Sequence, residues 1–332
     1  MRIKKAIFLI SCLLLFLISC TNTIDKNKLA EALKNPVKNL ESYKYDPSTP
    51  LEERVRDIPD FLLDALKKWD ERDDYRPYSL SGVERKIISD CMDLLPPLCS
   101  RIMKERLIGI YFVENFLGSG WTDWVFDKKG NVYCYMTFSP HVLKGDLSEI
   151  ITAKEMTCYK KSDKDMKVHI DCGNKYSGFQ YILIHEAVHA VDYVENITPF
   201  VEPDLQEIQK RKLSKNEFTD NVWKKYSVPV SEYEYLYRDK VTFYGFSGGP
   251  KIDIEDALDV YKGLSQTPYI SIYGSKNWAE DIADLVAFYH IVKKLGQPYI
   301  INVNKGNDTV YTYEPLGSKL VSKRFKAIKV FY

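Results

Sequence analysis

The chain has 332 residues, with 47 Lys and Arg against 46 Asp and Glu, a formal net charge of +1 and seven cysteines. That balance offers no electrostatic footprint for nucleic acid, and the length is ample for a substantial buried core.

Arg2, Lys4 and Lys5 precede Ala6 to Ser19, an apolar run of 14 residues. It is too short to cross a bilayer and has the layout of a signal peptide over residues 1–19. Leu17-Ile18-Ser19-Cys20 resembles the lipobox of bacterial lipoproteins. That resemblance implies cleavage before Cys20, lipidation of its thiol, and an extracytoplasmic protein anchored at the periplasmic face or the cell surface. Without the three leader cations the net charge falls from +1 to −2. Residues 20–55 are polar, contain Pro36, Pro47 and Pro50, and read as a tether off the membrane.

Residues 56–105 form a helical N-terminal region. Asp60 to Trp69 and Ser81 to Leu95 have helical patterning, and Ser81 with Glu84 makes a capping box. Residues 106–332 read as the main domain. It opens with strand-like sequence from Leu107 to Phe138, in which Trp121–Phe126 and Val132–Phe138 flank a hairpin turn at Asp127–Asn131. Either run could be the edge strand.

The next segment carries the chemistry. In Tyr181-Ile-Leu-Ile-His-Glu-Ala-Val-His-Ala-Val-Asp-Tyr193, His185 and His189 are four apart, so on a helix both imidazoles leave one face. Glu186 sits roughly 100° around, placed to act on a ligand of the metal without binding the metal itself. Two imidazoles and an adjacent carboxylate are the start of a catalytic Zn²⁺ site with Glu186 as general base. Ser177 and Gln180 suggest a capping box at the start of this helix.

A third ligand has two sources. Glu195 lies ten residues after His185, but a continuing helix turns it about 80° away. Glu280, in Asn277-Trp-Ala-Glu-Asp-Ile-Ala-Asp-Leu-Val-Ala-Phe-Tyr289, is the better source, because Asp284 shares its face and can accept the distal N–H of a ligating imidazole. Between the two helices, Glu217–Tyr226 and Asp253–Leu264 read as helical, with a turn at Ser247-Gly248-Gly249-Pro250. Tyr299–Val303 and Thr309–Tyr313 read as strands before a basic C-terminal helix.

His189-Ala-Val-Asp192 and Tyr273-Gly-Ser-Lys-Asn-Trp-Ala-Glu280-Asp-Ile-Ala-Asp284 together resemble the gluzincin zinc metallopeptidases, and in particular the catalytic domain of anthrax lethal factor and its relatives. The family pattern in the second segment is Y-G-x-x-N-x-A-E-x-x-A-E. The resemblance implies an α+β, zincin-like fold: a twisted, mostly antiparallel sheet beside the active-site helix. It also implies a peptide or protein substrate and a catalytic role for Tyr273 beside the zinc. The chain departs from the pattern at Asp284, where the family has Glu, which shortens the reach by one methylene.

On this reading Glu186 moves the water's proton and Tyr273 donates to the oxyanion, with the substrate extended along an edge strand. The competing readings are a non-catalytic zinc-binding surface lipoprotein and a hydrolase of non-peptide amides. His141, His169 and His290 read as structural or surface residues. Cys91 with Cys99 and Cys158 with Cys172 are the sequence-local disulfide pairings, with Cys134 left over.

Overall fold

The computed structural model describes residues 24–199, 202–211 and 216–332. The expected signal peptide and Cys20 lie outside the described residues.

Residues 24–55 are packed, in contrast to the expected tether. The first helix, α1 (Lys26–Ala32), is capped by the Asp25 side chain and buries Leu29. Val37, Tyr43 and Leu51 follow it into the interior. Arg54 is 2 % exposed, and its guanidinium donates to the carbonyls of Leu107 (2.7 Å), Met103 (3.3 Å) and Pro47 (3.1 Å). Polar composition suggested a tether, but apolar residues six to eight apart are enough to dock the segment.

Two expected helices follow. α2 (Asp60–Trp69) buries Leu62, Leu63 and Leu66, and α3 (Gly82–Asp93) starts at the Ser81–Glu84 capping box. The two-residue β1 (Arg76–Pro77) lies between them, and α4 (Pro97–Arg106) leads into β2 (Leu107–Glu114). β3 (Gly120–Phe126) and β4 (Val132–Phe138) form the expected hairpin. Its turn is closed by the Asp127 carboxylate, which accepts from the backbone N–H of Lys129 and Asn131 at 2.8 Å, while Gly130 supplies a φ of +80°.

The sheet order is β1-β2-β4-β3, so β3 is the edge. β2 and β4 run parallel and the other two pairings are antiparallel. Alternate residues enter different cores. Ile110, Phe112, Trp124, Phe126, Cys134 and Met136 pack on one face, and Ile108, Val113, Val125 and Tyr135 on the other. The N-terminal region closes both faces, α2 on one and α3 with α4 on the other. Residues 56–105 are therefore continuous in packing with residues 106–332.

α5 (Leu147–Met156) precedes the short β5 (Tyr159–Lys160) and β6 (Met166–Asp171). The central helix, α6 (Phe179–Glu195), is buried nearly all round and ends where Asn196 turns left-handed at φ 58°. Its start differs from expectation. Gly178 is the N-cap with no side-chain cap, and Gln180 is wholly buried, donating to the Cys91 carbonyl at 3.3 Å. A Cβ at Gly178 would lie 2.2 Å from Ile150, so the close approach of α5 selects glycine there.

Beyond α7 (Pro203–Gln209), the helix expected over Glu217–Tyr226 is absent. Turns lead to β7 (Trp223–Lys225), paired with β8 (Val228–Pro229). The Asn216 side chain accepts from the N–H groups of Phe218 and Thr219, as at a helix N-cap, but the turn it starts ends where Asn221 is left-handed at φ 62°. β9 (Ile252–Asp253) pairs with β5, and α8 (Ala257–Leu264) and α9 (Trp278–Lys293) follow. β10 (Ile300–Lys305) and β11 (Asp308–Tyr313) then form an antiparallel sheet with β6. The basic C-terminal segment keeps a single α-helical turn, α10 (Lys319–Ser322), before 3-10 turns.

The fold is α+β, and no helix among the described residues is long and apolar enough to cross a membrane. Cys91, Cys99, Cys134, Cys158 and Cys172 are all free and buried, so neither sequence-local disulfide forms. Each thiol fills apolar core, and burial pushes the Cys91 and Cys158 thiols up to about 12.

Candidate metal centre

α6 and α9 pack side by side at the heart of the molecule, and their facing sides bring the motif residues together. His185 Nε2 lies 3.0 Å from Glu280 Oε2 and 3.1 Å from His189 Nε2, and His189 Nε2 lies 3.5 Å from the same carboxylate oxygen. The three ligand atoms fall within 4.8 Å of one another and could hold one metal ion. Glu280 sits in the first turn of α9. There the Asn277 side chain accepts from its N–H and from that of Ala279 at 3.0 Å, fixing the helix start.

Asp284, one turn further along, is wholly buried beneath this cluster. Its Oδ1 is 2.8 Å from His185 Nδ1, so aspartate reaches the imidazole despite its shorter side chain. With Nδ1 donating to Asp284, loss of the Nε2 proton would leave that lone pair facing the cluster. Asp284 also accepts from the Tyr181 hydroxyl at 2.6 Å and from the Ser271 hydroxyl, with the Lys154 ammonium 3.9 Å away. Burial opposes ionisation of Asp284, but Lys154 and His185 outweigh it and hold the carboxyl below its usual range.

The same opposition recurs at the neighbouring groups. Burial disfavours a charged His185, yet the Asp284 and Glu280 carboxylates push it up to about 9. Burial likewise disfavours an ionised Glu280, and the hydrogen bonds from His185 and His189 hold it well below the carboxylate range.

Glu186 is 6 % exposed and faces β3. The Thr122 hydroxyl lies 2.7 Å from its Oε2 and 3.1 Å from its backbone carbonyl. Gly120 permits this approach, since a Cβ there would sit 2.9 Å from the Glu186 side chain. The Tyr273 ring lies 5.7 Å from the His185 ring and packs edge-on against Phe243 at 4.9 Å. Lys154 Nζ sits 3.8 Å from its ring centroid. Burial, then Glu280, raise the Tyr273 phenol well above its usual value, which keeps it a donor.

Glu195 stays apart, paired on the surface with Arg101 at 2.8 Å. His141 bonds Ser139 at 2.7 Å, His169 is exposed on β6, and His290 stacks on Tyr332, so none of the three joins the cluster. Thr122, Gly120, Tyr181, Ser271 and Lys154 were not legible as site residues. Tyr181 and Ser271 lie within or beside the motif segments, whereas nothing in the sequence separates Lys154 from the other lysines. A cleft of about 670 Å³ opens over the cluster.

No family model matches the chain, and no curated protein or solved structure is detectably similar to it.

Proposed function

We propose that the chain is a zinc metallopeptidase of the gluzincin type, with the zincin-like fold that its motifs imply. The observation that carries this reading is the convergence of His185, His189 and Glu280 on one point, with Glu186 and Tyr273 beside it. Tetrahedral zinc ligands at about 2.0–2.1 Å stand roughly 3.3 Å apart, close to the separations of these three atoms, and two imidazoles with one carboxylate are a catalytic donor set. Zinc held there would polarise a carbonyl and acidify a water.

The protein's own groups account for the rest. Thr122 holds Glu186 Oε2, leaving Oε1 to take the water's proton and pass it to the departing amine. Tyr273, kept protonated, donates to the oxygen on which negative charge develops. Asp284 fixes the His185 tautomer, and Lys154 balances the buried charge of Asp284. The partner is a peptide or protein substrate, and Cys20 anchors the molecule to the membrane from the extracytoplasmic side. Nucleic acid is not among its partners.

The test is a metal analysis of the purified ectodomain alongside peptide cleavage. About one zinc per chain is expected. Glu280→Ala should lose the metal and Glu195→Ala should keep it. Glu186→Gln should retain zinc and fold while losing nearly all turnover, because a carboxamide cannot accept the proton. Metal lost from Glu195→Ala and kept by Glu280→Ala would refute the gluzincin assignment. A zinc-loaded parent that cleaves nothing would favour the non-catalytic scaffold.

A further inference from the structure

Along β3 successive side chains enter different surroundings. Thr122, Trp124 and Phe126 lie on the α6 side, Thr122 meeting Glu186 directly. By the two-residue period, Trp121 and Asp123 lie on the other side with Val125. The Asp123 carboxylate accordingly meets Tyr135, a member of that second core, at 2.9 Å.

The backbone alternates as well. The Ser119 carbonyl accepts from the Ser139 N–H at 3.1 Å, toward β4. In an antiparallel ladder the N–H and C=O groups of Gly120 and Thr122 then point away from β4. The far end of this edge is covered, with Phe126 bridged to Asn39 and the Trp124 carbonyl met by the Lys38 ammonium at 3.3 Å. From Gly120 to Asp123 no described strand lies outside β3.

Beside this open stretch are two exposed indoles. Trp121 is 49 % exposed, and Trp69, at the end of α2, is 47 % exposed. Both line the cleft that contains His185 and Glu186, with Phe116 and Leu117 along the same cleft. Large apolar groups gathered in water at one place mark a binding surface.

Building on the peptidase reading, we propose that the substrate is an extended peptide that pairs with Gly120–Asp123. The residue opposite Trp121 carries a large aromatic or branched apolar side chain, received by Trp121 and Trp69. Residues opposite Gly120 and Thr122 turn toward α6 and the reacting groups, because side chains of an added strand alternate like those of β3. The selective residue and its neighbours therefore face opposite sides of the sheet. α2 supplies part of the selectivity from outside both motif helices.

The experiment uses acetyl- and amide-capped octapeptides of alanine and serine in which a single phenylalanine is walked through the positions. Binding is measured to Glu186→Gln and cleavage by the parent protein. Phenylalanine should improve Kd and KM about tenfold over alanine in one register. Trp69→Ala and Trp121→Ala, both at exposed positions, should each bring that ratio close to one. Val83→Ser, an exposed apolar position outside the cleft, should preserve it.

Cleavage with no phenylalanine preference, or a preference that survives both tryptophan variants, overturns the subsite and leaves the peptidase reading standing. Phenylalanine-selective binding to Glu186→Gln without cleavage by the parent does the reverse. Peptides that neither bind nor are cleaved overturn both.

Discussion

Asp284 gathers four polar partners beneath the cluster: His185, Tyr181, Ser271 and the ammonium of Lys154. A buried carboxylate without such company would take up a proton and cease to orient the imidazole. Its hold on His185 has a measurable cost. With Asp284 and Glu280 raising His185 to about 9 against burial, the metal-free imidazole is protonated at neutral pH. Zinc must displace that proton, so affinity should rise about tenfold per pH unit from pH 6 and level off near the raised value. Isothermal titration across that range checks the slope, and a flat profile would show that no proton is displaced.

On the peptidase reading, Tyr273 would act at a different moment. Its phenol stays protonated and does not hold the metal, so Tyr273→Phe should keep zinc and lower kcat roughly a hundredfold with little change in KM. A loss confined to KM would assign the hydroxyl to substrate binding instead.

At the scale of elements, the closeness of β3 to α6 matters most. Gly120→Ala would put a methyl group 2.9 Å from Glu186 and 3.0 Å from Ile182, so strand or side chain must shift. On the peptidase reading, turnover should fall by at least about tenfold with zinc content unchanged, since the proposed general base would be displaced and the proposed ligands would not. Unchanged kcat would mean that Glu186 relaxes freely. The elements bearing the chemistry were readable beforehand because their signals are local. Four-residue spacing on an apolar run defined α6, and the Ser81–Glu84 and Asp127–Asn131 side chains close their own backbone turns.

What was not readable depends on distant partners. Thr122 and Lys154 matter only because α6 and α9 happen to pass them. Glu217–Tyr226 looked helical, but the turn capped by Asn216 stops at the left-handed Asn221 and the backbone goes on into β7. The cysteines looked like pairs along the chain, although Cys91 on α3 and Cys99 on α4 are each buried as free thiols, both helices packing on α6.

At the scale of the whole molecule, the N-terminal third is packed into the same body as the cleft. α2 contributes Trp69 to the cleft, Arg54 ties the supposed tether to the start of β2, and the Asp25 N–H donates to the Ile208 carbonyl at 2.7 Å. If Cys20 is the lipidated residue, Cys20→Ser should release the protein from detergent-extractable membranes, or leave an uncleaved precursor. Unchanged membrane partitioning of that variant would remove the anchor.

The docking of Ile24 against the hairpin at Gly130 then acquires a geometric consequence. Only Thr21, Asn22 and Thr23 would separate an acylated Cys20 from the first described residue, Ile24. A few residues at about 3.5 Å each give a leash on the order of 10–15 Å. That is shorter than a domain's own radius, so a protein anchored in this way would ride against the headgroups with its α1 and hairpin end inward. Its catch would be drawn from polypeptides within one molecular diameter of the bilayer.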